Sequence, residues 1–202
     1  MGFYSRHVAP RIVDTACSPS SLGRWRSRCV EGLSGTVIEI GFGGGRNLPY
    51  YPTDVKEIWA VEPSPVMRRR SAARREASPC EIRWVGLDGQ DLDLDDDTVD
   101  HAVVTFSLCT IPDPARALRE LRRVVRPGGE LRVLEHGLAP DSAVQSWQHR
   151  CEPFEKVIAD GCHLTRDPQQ LVADNGWNIT SVFQRYTPGP KPWTFFTSLR
   201  AL

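Results

Sequence analysis

The stretch TVIEIGFGGGRN, residues 36–47, decides how the rest of the chain is interpreted. It begins with a short apolar run rich in β-branched residues, which predicts a buried strand. Four glycines follow this run, separated only by Phe42. Glycine adopts backbone angles that side chains forbid, and it lets a ligand approach the main chain closely. A strand that ends in glycines therefore predicts a nucleotide-binding turn at the strand tip.

Two details of this stretch restrict the ligand. A dinucleotide fold uses G-x-G-x-x-G between a strand and a helix, and the third glycine lets the two pack closely. Here Arg46 occupies the third glycine position and would crowd such a helix against the strand. Glu39 lies inside the strand, two residues before Gly41. A buried carboxylate is costly unless hydrogen-bond donors surround it. Glu39 is therefore expected either to bind a cationic ligand group or only to hold the glycine loop in shape.

The same glycines carry a family resemblance. Glu39, Gly41, Gly43 and Gly45 form the pattern E-x-G-x-G-x-G, which resembles the first motif of the class I methyltransferases. The resemblance implies an α/β, Rossmann-like fold with a mostly parallel seven-stranded sheet, an antiparallel edge strand and helices on both faces. It also implies that the cofactor is S-adenosyl-L-methionine and that the product is S-adenosyl-L-homocysteine.

Composition and charge are those of an ordinary globular domain. The chain has 202 residues, 40% hydrophobic and 25% charged, with a formal net charge of zero. Because nucleic-acid-binding domains are usually basic, no nucleic-acid partner is expected. No secretory signal and no apolar run of membrane-spanning length is present, so the predicted location is cytoplasmic. The length predicts one domain, with covering helices at 1–34, a cofactor-binding core at 35–137, and acceptor-side helices with an edge hairpin at 138–202.

Cysteine spacing gives no sign of a metal centre. None of the six cysteines forms a C-x-x-C pair, and no histidine cluster has zinc spacing. The acidic run at 93–97 is expected to form an exposed loop before the fourth strand. No metal site is therefore predicted, and the thiols are expected to be free and reduced.

Apolar runs and helical patterns alternate through the first 137 residues, which predicts a parallel sheet with its binding edge at the carboxyl ends of the strands. The run R-P-G-G at 126–129 is expected to end a helix, and it also resembles a methyltransferase hallmark. The predicted strands are 37–40, 57–61, 81–85, 99–106, 130–134, 177–186 and 194–199, and the predicted helices include 22–33, 66–76, 114–125, 142–158 and 167–175.

Residues after three further strands complete the predicted cofactor site. Glu62 follows the second strand, about 20 residues after the glycines, where a carboxylate can accept hydrogen bonds from both ribose hydroxyls. The resemblance assigns residues 88–90 to adenine and the loop at 107–112 to the methyl group. The predicted cofactor-binding residues are Glu39, Gly41, Phe42, Gly43, Gly45, Asn47, Glu62, Pro63, Asp88, Gly89, Gln90, Thr105, Phe106 and Ser107.

Four further segments resemble the thiol S-methyltransferases, methyltransferase-like proteins that methylate small thiols, and their bacterial relatives. They are S-L-C at 107–109, L-E-H at 134–136, W-Q at 147–148 and A-D-G-C-H-L-T-R at 159–166. The resemblance implies methyl transfer to a small-molecule acceptor such as a thiol. Phenols, quinols and lipid oxygen or nitrogen atoms are alternative acceptors. A nucleotide-dependent oxidoreductase and a non-catalytic adenosine-ligand sensor are alternative functions.

The acceptor decides whether a general base is needed. A thiol is partly ionised at neutral pH and needs little assistance, whereas an oxygen or nitrogen acceptor would need a base near the methyl group. The candidate catalytic residues are His136, at the tip of the fifth strand, and His163. Each is alternatively a hydrogen-bonded structural histidine.

Overall fold

The computed structural model describes residues 2–18 and 20–202. Its seven strands form one sheet in the order β3-β2-β1-β4-β5-β7-β6. The first five strands are parallel, and β7 runs antiparallel to both β5 and β6. This arrangement confirms the predicted fold class. The strands are β1 (Gly35–Ile40), β2 (Val55–Val61), β3 (Glu81–Gly86), β4 (Val99–Thr105), β5 (Val125–His136), β6 (Ile179–Tyr186) and β7 (Phe195–Ala201).

Polar caps followed by proline start three of the helices. Ser64, Asp113 and Asp167 each accept a hydrogen bond from a backbone N–H in the first turn, and a proline follows each of them. Such a cap satisfies an otherwise free donor, and proline has no N–H to satisfy there. The described α-helices are α1 (Phe3–His7), α2 (Ala9–Ala16), α3 (Gly23–Val30), α4 (Pro65–Arg70), α5 (Ala72–Glu76), α6 (Pro114–Val124), α7 (Ser142–Ile158), α8 (Pro168–Asp174) and α9 (Lys191–Thr194).

Two connections differ from the expected alternation of strand and helix. Only a 3₁₀ turn at Leu48–Tyr50 lies between β1 and β2, and residues 87–98 between β3 and β4 contain no helix. The run at 126–129 does not simply end α6, because β5 begins at Val125 and includes it. Proline cannot donate to a strand ladder, and the register with β4 is irregular at this point. These residues therefore form a bulge within the strand.

The hydrophobic core lies on both faces of the sheet. Successive strand residues point to opposite faces, so Ile38 packs with one cluster and Val37 with the other. Leu118 and Leu121 of α6 are fully buried in the first cluster. No helix within the described residues is both long enough and apolar enough to cross a lipid bilayer.

Gly129 tests the tight packing of the β5 bulge. A Cβ at this position would lie 2.2 Å from the backbone oxygen of Asp100 and 2.5 Å from Val125 Cγ1. Because backbone must move to relieve this overlap, Gly129→Ala should lower the free energy of unfolding by about 2 kcal/mol or more, measured by urea denaturation. Gly86→Ala is the matched control, since its Cβ would make only an ordinary 3.9 Å contact. Equal effects of the two substitutions would contradict this account.

Candidate active site

A cavity of about 550 Å³ opens at the carboxyl ends of β1, β2, β3 and β4. This is the edge where open α/β sheets bind their ligands, and the volume is typical of a small-molecule site. Residues from α2 and from the segment after α7 complete the wall. The wall includes these predicted cofactor-binding residues: Glu39, Gly41, Phe42, Gly43, Glu62, Pro63, Asp88, Gly89, Gln90, Thr105, Phe106 and Ser107.

Two of the predicted cofactor-binding residues, Gly45 and Asn47, do not line the cavity. Asn47 is buried, and its side-chain amide donates to Glu39 Oε1 at 2.9 Å and to Thr105 Oγ1 at 3.0 Å. Asn47 therefore holds wall residues in position without lining the wall itself.

The glycine loop packs closely against the loop after β4. Gly41 has φ +73°, and a Cβ there would lie 1.8 Å from Ser107 Oγ. The N–H groups of Gly41 and Phe42 both donate to the carbonyl of Val61, at 3.0 and 3.2 Å. Only glycine permits this backbone angle together with this close approach.

Glu62 joins the end of β2 to the glycine loop. Its Oε2 accepts from the N–H of Gly43 and its Oε1 from the N–H of Ser64, both at 2.7 Å. Burial raises the pKa of Glu62, and these two backbone donors oppose that effect. A carboxylate oxygen has two lone-pair sites, so each oxygen can accept one further hydrogen bond from a ligand in the cavity.

Glu39 is 1% exposed and is held by two side chains. The Tyr51 hydroxyl donates to Oε2 at 2.7 Å, while Asn47 donates to Oε1. Burial raises the pKa of Glu39 to about 7, against the opposing effect of these hydrogen bonds. The carboxylate thus supports the loop through Asn47 and also lines the cavity.

Arg26 is a wall residue that the sequence analysis did not identify. It is 5% exposed, and its guanidinium donates to Asn47 Oδ1 at 2.7 Å and to the Cys17 carbonyl at 3.2 Å. A guanidinium in the wall can bind a ligand carboxylate. The sequence does indicate that Arg26 is buried, because it lies four residues after Leu22 and three before Cys29, on the apolar face of α3.

Helix α2 is attached to the glycine loop by a buried carboxylate. Asp14 Oδ1 accepts from Arg46 Nε at 2.6 Å, and Oδ2 accepts from Arg70 Nε at 2.9 Å. Burial alone would raise the pKa of Asp14, but the two arginines lower it. The arginine that replaces the third glycine of a dinucleotide motif therefore binds an N-terminal helix over the cavity.

The loop after β4 carries backbone strain at the cavity. Phe106 has φ +53°, which is costly for a bulky residue and is typical of functional sites. Its N–H donates to the Leu134 carbonyl at 2.9 Å, and its ring packs edge-on against Phe196. Glu135 Oε1 then accepts from the N–H of Ser107 at 2.6 Å. These contacts fix the loop despite the strain.

Neither candidate catalytic histidine lines the cavity. His136 Nε2 lies 3.1 Å from Cys162 Sγ. His163 Nδ1 lies 3.3 Å from Glu152 Oε1 of α7. Their role as general bases stays a prediction.

Comparison with known proteins agrees with this geometry. Residues 38–133 match the family described as "Methyltransferase domain". The thiol S-methyltransferase TMT1B of Rattus norvegicus is 36% identical over 163 residues, which is 78% of this chain. A phosphatidylethanolamine N-methyltransferase of Cereibacter sphaeroides is 28% identical over 175 residues, 85% of this chain and 81% of the relative.

The relatives are longer than the part they share with this chain, which spans 55–65% of the length of the thiol S-methyltransferases it matches. A solved SAM-dependent methyltransferase from Aquifex aeolicus has a similar fold. Its TM-score is 0.63 at 17% identity, over 96% of this chain and 98% of that chain. Residues 38–133 therefore form a methyltransferase domain, and the chain has the fold of SAM-dependent methyltransferases, which agrees with S-adenosylmethionine as the cofactor.

Proposed function

We propose that this chain transfers the methyl group of S-adenosylmethionine to a small thiol. The observation that carries the proposal is the position of Glu62, whose two oxygens bind loop N–H groups at the cavity edge. One further lone pair on each oxygen matches the two hydroxyls of a ribose. Gly41, Gly43 and Gly44 line the cavity without side chains, so a ligand can approach the main chain of the glycine loop.

Charges in the wall suit the amino-acid end of the cofactor. Arg26 provides a cation for the carboxylate, and Glu39 provides an anion for the ammonium group. The exposed Leu87 and the buried Met67 give apolar surface beside residues 88–90, where the adenine is expected. When bound, the cofactor supplies an electrophilic methyl group on its sulfonium.

The other side of the cavity supports a thiol acceptor. Its wall is largely apolar and contains no histidine among the described residues. A thiol with a pKa near 8.5 is partly ionised at neutral pH without a base. The chain then has only to orient the acceptor and exclude water, and orientation alone contributes up to about 7–11 kcal/mol in favourable systems. The apolar side comprises Ala9, Pro10, Val13, Ile111, Pro112 and Ala159.

An oxygen acceptor is the second candidate, because one carboxylate lies in this part of the wall. Asp160 lines the cavity with a left-handed φ of +49°. A carboxylate within reach of a phenol or quinol hydroxyl can act as the general base that such an acceptor needs. This alternative differs from the first in its dependence on Asp160.

Replacing Glu62 tests the cofactor site. Glu62→Ala removes two charge-assisted hydrogen bonds to the ribose, each worth about 1.5–3 kcal/mol. Binding of S-adenosylhomocysteine, measured by calorimetry, should weaken at least about 100-fold. Glu81→Ala is the matched control, because this exposed residue begins β3 at the end away from the cavity. Unchanged affinity in Glu62→Ala, or no binding by the wild-type chain, would contradict the proposal.

The raised pKa of Glu39 predicts a pH dependence of stability. The folded chain holds the proton of the Glu39 carboxyl more tightly than the unfolded chain, in which the pKa of this group is near 4.5. Deprotonation therefore destabilises the folded state as pH rises from about 4.5 to about 7, by about 3 kcal/mol in full. Relative to Glu39→Gln, the wild-type free energy of unfolding should fall between pH 5 and pH 8 in urea denaturation. A difference that is independent of pH would contradict this.

Matched acceptor pairs distinguish the two candidate reactions. An aryl thiol and its phenol, and an alkyl thiol and its alcohol, differ at one atom. Release of S-adenosylhomocysteine should be at least about 100-fold faster with each thiol than with its oxygen analogue. The value of kcat/KM for a thiol should rise with pH up to the pKa of that thiol. Faster turnover of the phenol, abolished by Asp160→Asn, would favour the oxygen acceptor instead.

A further inference from the structure

A second group of reactive side chains lies behind the cavity wall. The donor atoms of Cys109, His136 and Cys162 lie within 4.8 Å of one another. Both cysteines are buried, at 4% and 5% exposure. They pack with Ala159, a residue of the cavity wall. The group is therefore separate from the cofactor site but next to it.

The fold holds these three residues in place before any ligand arrives. Parallel pairing of β4 and β5 sets Thr105 beside Leu134, so the loop with Cys109 and the tip with His136 meet at one sheet edge. The N–H of His163 donates to the Cys109 carbonyl at 2.9 Å, which fixes the segment with Cys162 against the loop with Cys109. The Arg166 guanidinium adds a hydrogen bond of 2.8 Å to the carbonyl of Ile111.

Hydrogen bonding within the protein satisfies this group only in part, through the contact of His136 Nε2 with Cys162 Sγ at 3.1 Å. In the part of the chain that the structure describes, His136 Nδ1 and Glu135 Oε2 are buried without a hydrogen-bond partner. A buried polar atom left unpaired costs about 1–3 kcal/mol. These two atoms show that the polar groups beside the two thiols are incompletely paired.

The donor set identifies the chemistry of that occupant. Sulfur and imidazole ligands select thiophilic divalent ions such as Zn²⁺. Two thiolates and one neutral imidazole carry a charge of −2, which a divalent ion balances. The neighbouring Glu135 carboxylate is stabilised separately, by the N–H groups of Ser107 and Leu108. Bonds of about 2.0–2.3 Å keep tetrahedral ligands about 3.5–3.8 Å apart. The donor atoms here lie within 4.8 Å of one another, with 3.1 Å between His136 Nε2 and Cys162 Sγ, so shifts of about 1 Å or less bring them to that spacing.

We propose that Cys109, His136 and Cys162 bind one thiophilic divalent metal ion of the zinc class. Three protein ligands leave a fourth position for water or another donor, as in zinc sites that are not purely structural. The spacing of cysteines along the sequence predicted no metal site, because these ligands come from two loops and the end of β5, which meet only in the fold.

Cobalt provides a direct test, because four-coordinate Co²⁺ bound to thiolates absorbs strongly in the near ultraviolet and visible. The full chain is reduced, stripped with a chelator and titrated with Co²⁺ alone, and then with Zn²⁺. We expect one equivalent of Co²⁺ to give a thiolate charge-transfer band that Zn²⁺ abolishes. No band, or no retained zinc by elemental analysis, would overturn the proposal without depending on any variant.

Cysteine variants locate the ion. Cys109→Ser and Cys162→Ser should lose the band and bind Zn²⁺ at least about 100-fold more weakly than the wild-type chain. Replacing a residue that only orients a metal ligand typically costs about 10–100-fold in affinity, so a larger loss identifies a ligand. Cys80→Ser is the matched control, since this buried thiol lies elsewhere, near the Val55 carbonyl. Circular dichroism checks that each variant is folded. A full band in folded Cys109→Ser would overturn the assignment, as would a Cys109–Cys162 disulfide in a chain that takes up no cobalt when reduced.

Discussion

Three buried carboxylates hold the loops that form the cavity. Glu62, directly after β2, accepts from Gly43 of the glycine loop. Glu135, in β5, accepts from Ser107 in the loop after β4. Glu39, in β1, accepts from the side chains of Asn47 and Tyr51, which follow the glycine loop. Burial raises the pKa of each carboxylate, so each depends on the donors around it. The loops and the carboxylates therefore stabilise one another, and the cavity follows from their pairing.

Much of this arrangement could be predicted from local sequence. Glycines after one apolar run and an acid after the next apolar run mark the ends of two strands. When the two strands pair in parallel, these ends lie side by side. Glu62 and Gly41 were identified for that reason. The acidic residues at 93–97 form the exposed loop before β4 that the sequence predicts, and Asp96 pairs with Arg123 on α6 at 2.9 Å.

Long-range contacts could not be predicted in the same way. Asp14 reaches the glycine loop only because α2 folds back across it, and no spacing in the sequence indicates this. The bulge at 126–129 depends on register with β4, whereas the sequence shows only a helix stop. Cys109 and Cys162 are 53 positions apart in the chain, and their proximity depends on the loops that follow β4 and α7. Each of these features requires the tertiary fold.

The cavity has two sides with different electrostatics, and this difference limits the reaction. Glu39, Glu62 and Arg26 line the side of the glycine loop, where hydrogen bonds compensate their burial. The opposite side is formed mainly by apolar residues of α2 and of residues 111–112. Apart from the solvent-exposed Asp160, a charged base placed among these apolar residues would bear a desolvation cost. An acceptor that ionises by itself avoids this cost, and a thiol does so more readily than an alcohol. The polarity of the wall thus favours sulfur over oxygen independently of any relative.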